Sequence, residues 1–202
     1  MLIKKIKLEN IRSYLNHEIN FPEGSVLLSG DIGSGKSSIL LAIDFVLFGL
    51  RRSDLSGSML LRNGKNSGFV ELTFNVMDKE VILKRNLKRV RGSIVQDSGY
   101  VIVDGKKKEA SALELKQIVL ELLNYPMDLL TKSKPLVYHY TVYTPQEEMK
   151  HILYAENEVR LDTLRKVFDI DKYKRIRENS KIFMGTLKEQ IKELDIRTAD
   201  LE

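Results

Sequence analysis

Gly30-Asp31-Ile32-Gly33-Ser34-Gly35-Lys36-Ser37 decides how this sequence is read, because it fits G-x-x-x-x-G-K-[ST], the pattern of a phosphate-binding loop. The spacing has a mechanical cause. Gly33 and Gly35 let the backbone curl until successive N–H groups point inward at phosphate oxygens. Lys36 brings a positive charge to the β- and γ-phosphates, and the Ser37 hydroxyl is placed to ligate Mg²⁺. At average glycine usage such a pattern arises by chance in a chain of this size on the order of one time in a hundred. Its surroundings sharpen the reading. An apolar run at residues 25–28 reads as a strand entering the loop, and Ile39, Leu40, Ile43, Val46 and Leu47 recur at helical spacing after it. Gly49 suits the position just past that helix.

Working outward, residues 2–8 and 17–21 read as short strands, with a turn at Pro22-Glu23-Gly24. Residues 51–67, dense in Ser, Gly, Arg and Asn, read as loop. Alternation returns at 69–74, 81–83 and 100–103, which predicts antiparallel hairpins, the last closed by Asp104-Gly105. Ser111 with Glu114 three residues on is a capping box for a helix carrying Leu115, Ile118, Val119 and Leu122. A strand-like run at 136–142 leads to Thr144-Pro145-Gln146. Residues 153–168 are predicted as one amphipathic helix, and a highly charged helix follows from Asp171. There Leu187, Leu194 and Leu201 recur every seventh residue, with Ile176 and Phe183 in the same frame. A coiled coil and an ordinary amphipathic helix both fit, since Gln190 and Arg197 occupy the other seam positions. The fold class expected is α/β: a mixed sheet around the phosphate-loop helix, antiparallel hairpins, and a C-terminal helix that begins a coiled coil.

Composition bounds the function. With 202 residues and 43% apolar content, the chain can bury one hydrophobic core. It has no cysteine, which excludes disulfides, thiolate nucleophiles and Cys-ligated zinc, and suits a reducing cytoplasmic setting. No apolar run approaches the roughly 18 residues that cross a bilayer, and Met1–Asn10 lacks the apolar core of a signal peptide, so no membrane partner is expected. Lys and Arg outnumber Asp and Glu by 33 to 28, which permits a nucleic-acid partner without establishing one. The stretches Arg51-Arg52, Lys84-Arg85, Lys88-Arg89-Val90-Arg91 and Lys106-Lys107-Lys108 could meet a phosphate backbone or be solvated hairpin tips. His17, His139 and His151 show no metal-ligand spacing.

Hydrolysis needs more than a phosphate loop: a carboxylate behind Mg²⁺ and a group that positions water. Val101-Ile102-Val103-Asp104 is the candidate for an aliphatic run ending in Asp-Glu, but Gly105 follows it, and Asp-Gly between strands is hairpin chemistry. Gln146, beside Pro145 at the end of an apolar run, could reach Mg²⁺ or an attacking water. It fits an exposed helix N-terminus equally well.

Asn10-Ile11-Arg12-Ser13-Tyr14, the phosphate loop, Leu61-Arg62-Asn63-Gly64, Val142-Tyr143-Thr144-Pro145-Gln146-Glu147 and Val167-Phe168-Asp169-Ile170-Asp171-Lys172-Tyr173 occur in the order found in SMC-like ATPases. The chain resembles most closely the double-strand-break repair type, Rad50 or SbcC, in an archaeal-looking form. The resemblance implies an ABC-type ATPase head lobe: the N-terminal half at residues 1–170, and the start of an antiparallel coiled coil at 171–202. It implies that Lys36 and the amides of Gly33, Ser34, Gly35, Ser37 and Ser38 hold the ATP phosphates, with Ile32 at a further cofactor-binding position. Ser37 and Gln146 would bind Mg²⁺, Lys36 and Gln146 would serve catalysis, Arg12 and Ser13 would approach the nucleotide, and Arg62, Asn63 and Gly64 would lie near base or ribose. Ile32 departs from the family, which usually has Asn there. In that family a C-terminal half completes the head, two heads close around ATP, double-stranded DNA binds, a nuclease grips the coiled-coil base, and zinc occurs only at a hook in the coil. A chromosome-organising SMC-like ATPase without a nuclease has nearly the same head, while a transporter's nucleotide-binding subunit would carry its own signature motif and no departing coil. Glu202 falls in mid-pattern, so the chain reads as the first half alone, inactive by itself.

Overall fold

The computed structural model describes residues 1–51, 55–125, 153–167 and 170–198. The chain divides into two units, residues 1–135 and 136–202.

In the first unit, alternation builds one sheet. β1 (Leu2–Ile11) and β2 (Tyr14–Asn20) form a hairpin with Ile11 opposite Tyr14. β3 (Ser67–Val76), β4 (Lys79–Val90), β5 (Ser93–Val103) and β6 (Lys106–Ala110) continue as a meander after the intervening helices α1 (Lys36–Phe48) and α2 (Gly57–Leu60). The strand order is β2-β1-β3-β4-β5-β6, antiparallel at every junction. Alternate residues turn one face inward: Ile6 and Leu8 on β1, Val70, Leu72 and Phe74 on β3, Val81, Leu83 and Leu87 on β4, and Val101 on β5 are all buried. α1 and α3 (Ala112–Leu122) pack on the sheet with Ile39, Ala42, Ile43, Val46, Leu47, Leu115 and Val119 buried. Each Val, Leu or Ile side chain among these contributes about 1.5–3 kcal/mol on leaving water. The expected helix from Lys36 and its stop at Gly49 are both present, and Ser111 and Glu114 form the capping box, Ser111 accepting from the Glu114 amide and its own amide donating to Glu114.

One charge sits in that apolar face. Arg85 follows Val81 and Leu83 on the inward side of β4 and is fully buried. Its Nε donates to Val46 O at 2.6 Å, Nη2 to Leu47 O at 3.1 Å and Nη1 to Ala112 O at 3.0 Å. It thereby satisfies carbonyls at the end of α1, where the helix dipole favours a cation. Burial lowers its pKa to about 9, so it stays protonated at neutral pH.

The structure corrects several expectations. Residues 25–28 form no strand, and Leu27 is 89% exposed. A strand needs a neighbour for its N–H and C=O groups, and the sheet's six strands pair among themselves. The α/β class holds, and the pairings among the described strands are antiparallel. Residues 51–67 are not all loop, since α2 lies within them. Lys106, Lys107 and Lys108 form β6, not a hairpin tip, and the turn is the two-residue Asp104-Gly105, both at positive φ. Arg85 and Arg51 are buried and unavailable to a phosphate backbone; Arg51 pairs with buried Asp44 at 2.5 Å.

In the second unit, the helix expected over 153–168 is interrupted at Ala155-Glu156, and α4 spans Asn157–Val167. Arg160 Nη2 donates to the carbonyls of Leu153 (2.9 Å) and Ala155 (3.1 Å) across that break. α5 runs Asp171–Thr198. Asp162 on α4 accepts from Lys174 on α5 and from Arg165, and these cations, Lys174 first, lower its pKa. Ile176, Phe183, Leu187 and Leu194 are exposed. Gln146, His139, His151 and the run at 136–142 lie outside the described residues, as does Arg52.

Candidate nucleotide-binding site

The phosphate loop reaches α1 through three glycines at positive φ: Gly30 at 147°, Gly33 at 84° and Gly35 at 99°. Gly35 is the N-cap of α1 in the left-handed region, and no side chain accepts from the first turn of the helix. The Lys36 and Ser37 amides are thus left for an outside acceptor, at the end where the dipole is positive. Lys36 Nζ donates to Gly30 O at 2.6 Å, Asp31 O at 2.7 Å and Ser34 Oγ at 3.3 Å, so the loop's own oxygens hold the ammonium over its mouth. Ser34 N to Asp31 O and Ser38 N to Gly35 O fix the curl. Ser37 is exposed and Ser38 buried.

The β1–β2 turn comes against this loop. Arg12, Ser13, Gly33, Gly35, Lys36, Ser37 and Ser38 line one cavity of about 270 Å³. A second cavity, about 510 Å³, shares Arg12 and Ser13 and is lined further by Ser58, Met59, Leu61, Arg62 and Asn63. The two together suit an anion at the loop with a larger group beyond the turn. Arg62 does not extend freely toward that group: its Nη1 donates to Arg12 O at 2.9 Å and Ser13 O at 3.0 Å, clamping the turn from below. The main chain repeats the clamp, with Arg12 N to Leu60 O and Arg62 N to Asn10 O. Arg12 itself sits at φ 46°, and Gly64 ends the segment at φ 78°. Ile32 points into solvent, fully exposed at the crown of the loop.

So the structure brings Arg12 and Ser13 beside the loop residues, while Arg62 and Asn63 join that turn in the second cavity, which no loop residue lines. Gly64 lines neither cavity, and Gln146 lies outside the described residues. Ser58 and Met59 went unread because nothing in a Ser- and Gly-rich stretch marked them. Tyr14 went without a role although its motif was recognised: its hydroxyl donates to Gly35 O at 3.3 Å.

A glycine-curled loop feeding an uncapped helix, with a caged lysine, defines a nucleotide-binding lobe of the phosphate-loop class. The comparisons agree. The chain matches the AAA_23 family, an AAA domain, over residues 5–202, and it belongs to that family. It is 32% identical over 195 residues, 96% of this chain and 18% of the relative, to a DNA double-strand break repair Rad50 ATPase of Methanococcus maripaludis. It is 29% identical over 202 residues, 22% of the relative, to the protein of the same description in Thermoplasma acidophilum. The SbcC component of the nuclease SbcCD of Staphylococcus aureus is 27% identical over 93% of this chain and 18% of its own length. The resemblance to SMC-like heads of the Rad50/SbcC type therefore runs over most of the chain, which spans about a fifth of those relatives' length. Among solved structures, the SMC head domain from Thermotoga maritima is 26% identical over 58% of this chain and 41% of that one, at a TM-score of 0.39.

Proposed function

We propose that this chain is the ATP-binding lobe of a DNA double-strand-break repair ATPase of the Rad50/SbcC type. The observation that carries the reading is the uncapped α1 N-terminus behind Gly33 and Gly35, with Lys36 held over it. Ser34, Gly35, Lys36, Ser37 and Ser38 would meet the phosphates, Ser37 with Gln146 would hold Mg²⁺, and Arg12, Ser13, Arg62 and Asn63 would flank the rest of the nucleotide. Bound Mg²⁺ would supply charge neutralisation at the phosphates. This chain's own part is to preorganise donors where negative charge sits.

Two heads would close around ATP, which couples to shape only through tighter binding to the closed state. Relatives described as repair ATPases and as part of a nuclease support a nuclease partner and a double-stranded DNA partner. On the lobe, Lys88 and Arg91 at the β4–β5 hairpin are exposed and available to DNA. The lobe would end near residue 170, with α5 from Asp171 starting a coiled coil, and the protein would act in the cytoplasm where DNA lies. Among the described residues, no helix is long and apolar enough to cross a membrane.

No ATP turnover is expected from this chain alone, since no described acid lines the cavity at the phosphate loop. The test is sedimentation of the head completed with the C-terminal half, with and without Mg-ATP. ATP-driven dimerisation should vanish in Lys36→Ala; dimerisation that survives the substitution unchanged sinks the reading.

A further inference from the structure

The β1–β2 turn carries three consecutive residues with different tasks. Arg12 and Ser13 line the cavity at the phosphate loop, and Tyr14, the next residue, touches the loop itself. A Cβ built on Gly35 would lie 3.0 Å from the Tyr14 hydroxyl oxygen and 3.2 Å from ring carbons Cε2 and Cζ. The phenol therefore occupies the space that the missing side chain of Gly35 leaves open. Its hydroxyl donates to Gly35 O at 3.3 Å, the same carbonyl that accepts the Ser38 amide at 2.9 Å in the first turn of α1. Gly35 is thus required for two independent reasons, its φ of 99° and the ring against it.

The ring is held in turn. His17 meets it edge-on, with centroids 5.3 Å apart and planes at 65°. Tyr14 pairs with Ile11 in the strand register, and Arg62 fixes Arg12 O and Ser13 O from the other side. The turn is clamped between Arg62 below and the phosphate loop above, and Tyr14 is the upper contact. We propose that Tyr14 is a positioning residue of the nucleotide site: it sets the spacing between the Arg12-Ser13 turn and the loop amides, and holds the N-cap of α1 in its phosphate-accepting curl. The proposal rests on the nucleotide-binding reading above. It differs from a purely structural role in acting on the phosphate end of the ligand whatever base is attached.

The experiment is isothermal titration of the full chain with Mg-ATP and, separately, with magnesium tripolyphosphate, for wild type, Tyr14→Phe and Tyr14→Leu, alongside thermal unfolding of each. Tyr14→Leu removes both the ring contact and the hydroxyl, and should weaken both ligands equally, by about tenfold or more. Tyr14→Phe keeps the ring and should lose less, about 2- to 10-fold, the worth of one hydrogen bond. Equal affinity of wild type and a folded Tyr14→Leu overturns the proposal, as does a loss confined to ATP with tripolyphosphate untouched, which would put Tyr14 at the base. Should Tyr14→Leu fail to fold, Tyr14→Phe decides alone: wild-type affinity for tripolyphosphate overturns the proposal. Wild type that binds neither ligand overturns instead the nucleotide reading on which it stands.

Discussion

Arg51 and Asp44 form a bidentate pair near the end of α1, at 3.2 and 2.5 Å, with side chains only 5% and 1% exposed. Arg51→Ala removes the guanidinium from its buried pair with Asp44. The expected loss is about 3–5 kcal/mol in urea unfolding, because removing one member of a buried pair costs far more than the pair contributes. Arg51→Met with Asp44→Leu should recover much of that loss, since removing both charges removes the desolvation cost as well. A second residue predicts a pH effect. Tyr100 donates to Glu71 at 2.5 Å, and its pKa is raised from 10.0 to about 12, first by burial and then by that carboxylate. Between those values the folded chain keeps a proton that the unfolded chain has lost, so stability falls as pH rises there. The Tyr100 contribution is complete below pH 10 and gone above about 12. Subtracting the tyrosinate absorbance titration of Tyr100→Phe from that of wild type should isolate one group titrating near 12. A difference centred near 10 refutes the hydrogen bond.

At the scale of elements, α3 shows what a sequence declares about itself. Ser111 and Glu114 lie three apart ahead of an apolar stripe, and local hydrogen bonds suffice to form the capping box. Ser111→Ala should cost about 1 kcal/mol in thermal or urea unfolding. Glu114 has its pKa lowered, chiefly by the Ser111 amide and hydroxyl. That contribution is present above the ordinary carboxylate range and is lost as pH falls through the depressed value. The stability gap between wild type and Glu114→Gln in urea unfolding should accordingly be widest at neutral pH and close in acid. α1 was legible for the same kind of reason: its spacing, its glycine stop and the phosphate-loop pattern are all local. Residues 25–28 were not, because a strand is a relation between two segments, and Val26-Leu27-Leu28 carries no record of whether a partner is at hand. Arg85 was hidden by the opposite effect. Beside Lys84 it reads as surface charge, and only the pleat of β4, with the end of α1 and the start of α3 behind it, makes it an internal cap. At the site, residues contiguous with the motif could be read from the chain, whereas Arg62 as a clamp and Tyr14 as a buttress emerge only when the β1–β2 turn meets the loop.

At the scale of the molecule, burial among the described residues is concentrated in the first unit. Its inward rows on β1, β3 and β4 are closed by α1 and α3, so opening any one of them exposes the side chains of the others. α5 offers a contrast: over 28 residues it holds Ile176, Ile182, Phe183, Leu187, Ile191 and Leu194 in exposed positions. Beyond the Lys174 to Asp162 contact with α4, its support is local, such as the Arg197 to Glu193 pair four residues apart, worth about 0.2–0.5 kcal/mol. An isolated helix of this composition is only marginal in water, since nucleation is costly and no buried face repays it. Hydrogen exchange on the full chain should therefore separate the two. Amides of α1, β3 and β4 should exchange only with global unfolding, sharing one opening free energy. Amides of α5 should exchange orders of magnitude faster. Equal protection of α5 and β3 would mean that its apolar stripe is covered in solution. In that case Leu187→Glu with Leu194→Glu should strip the protection from α5 and leave β3 as it was.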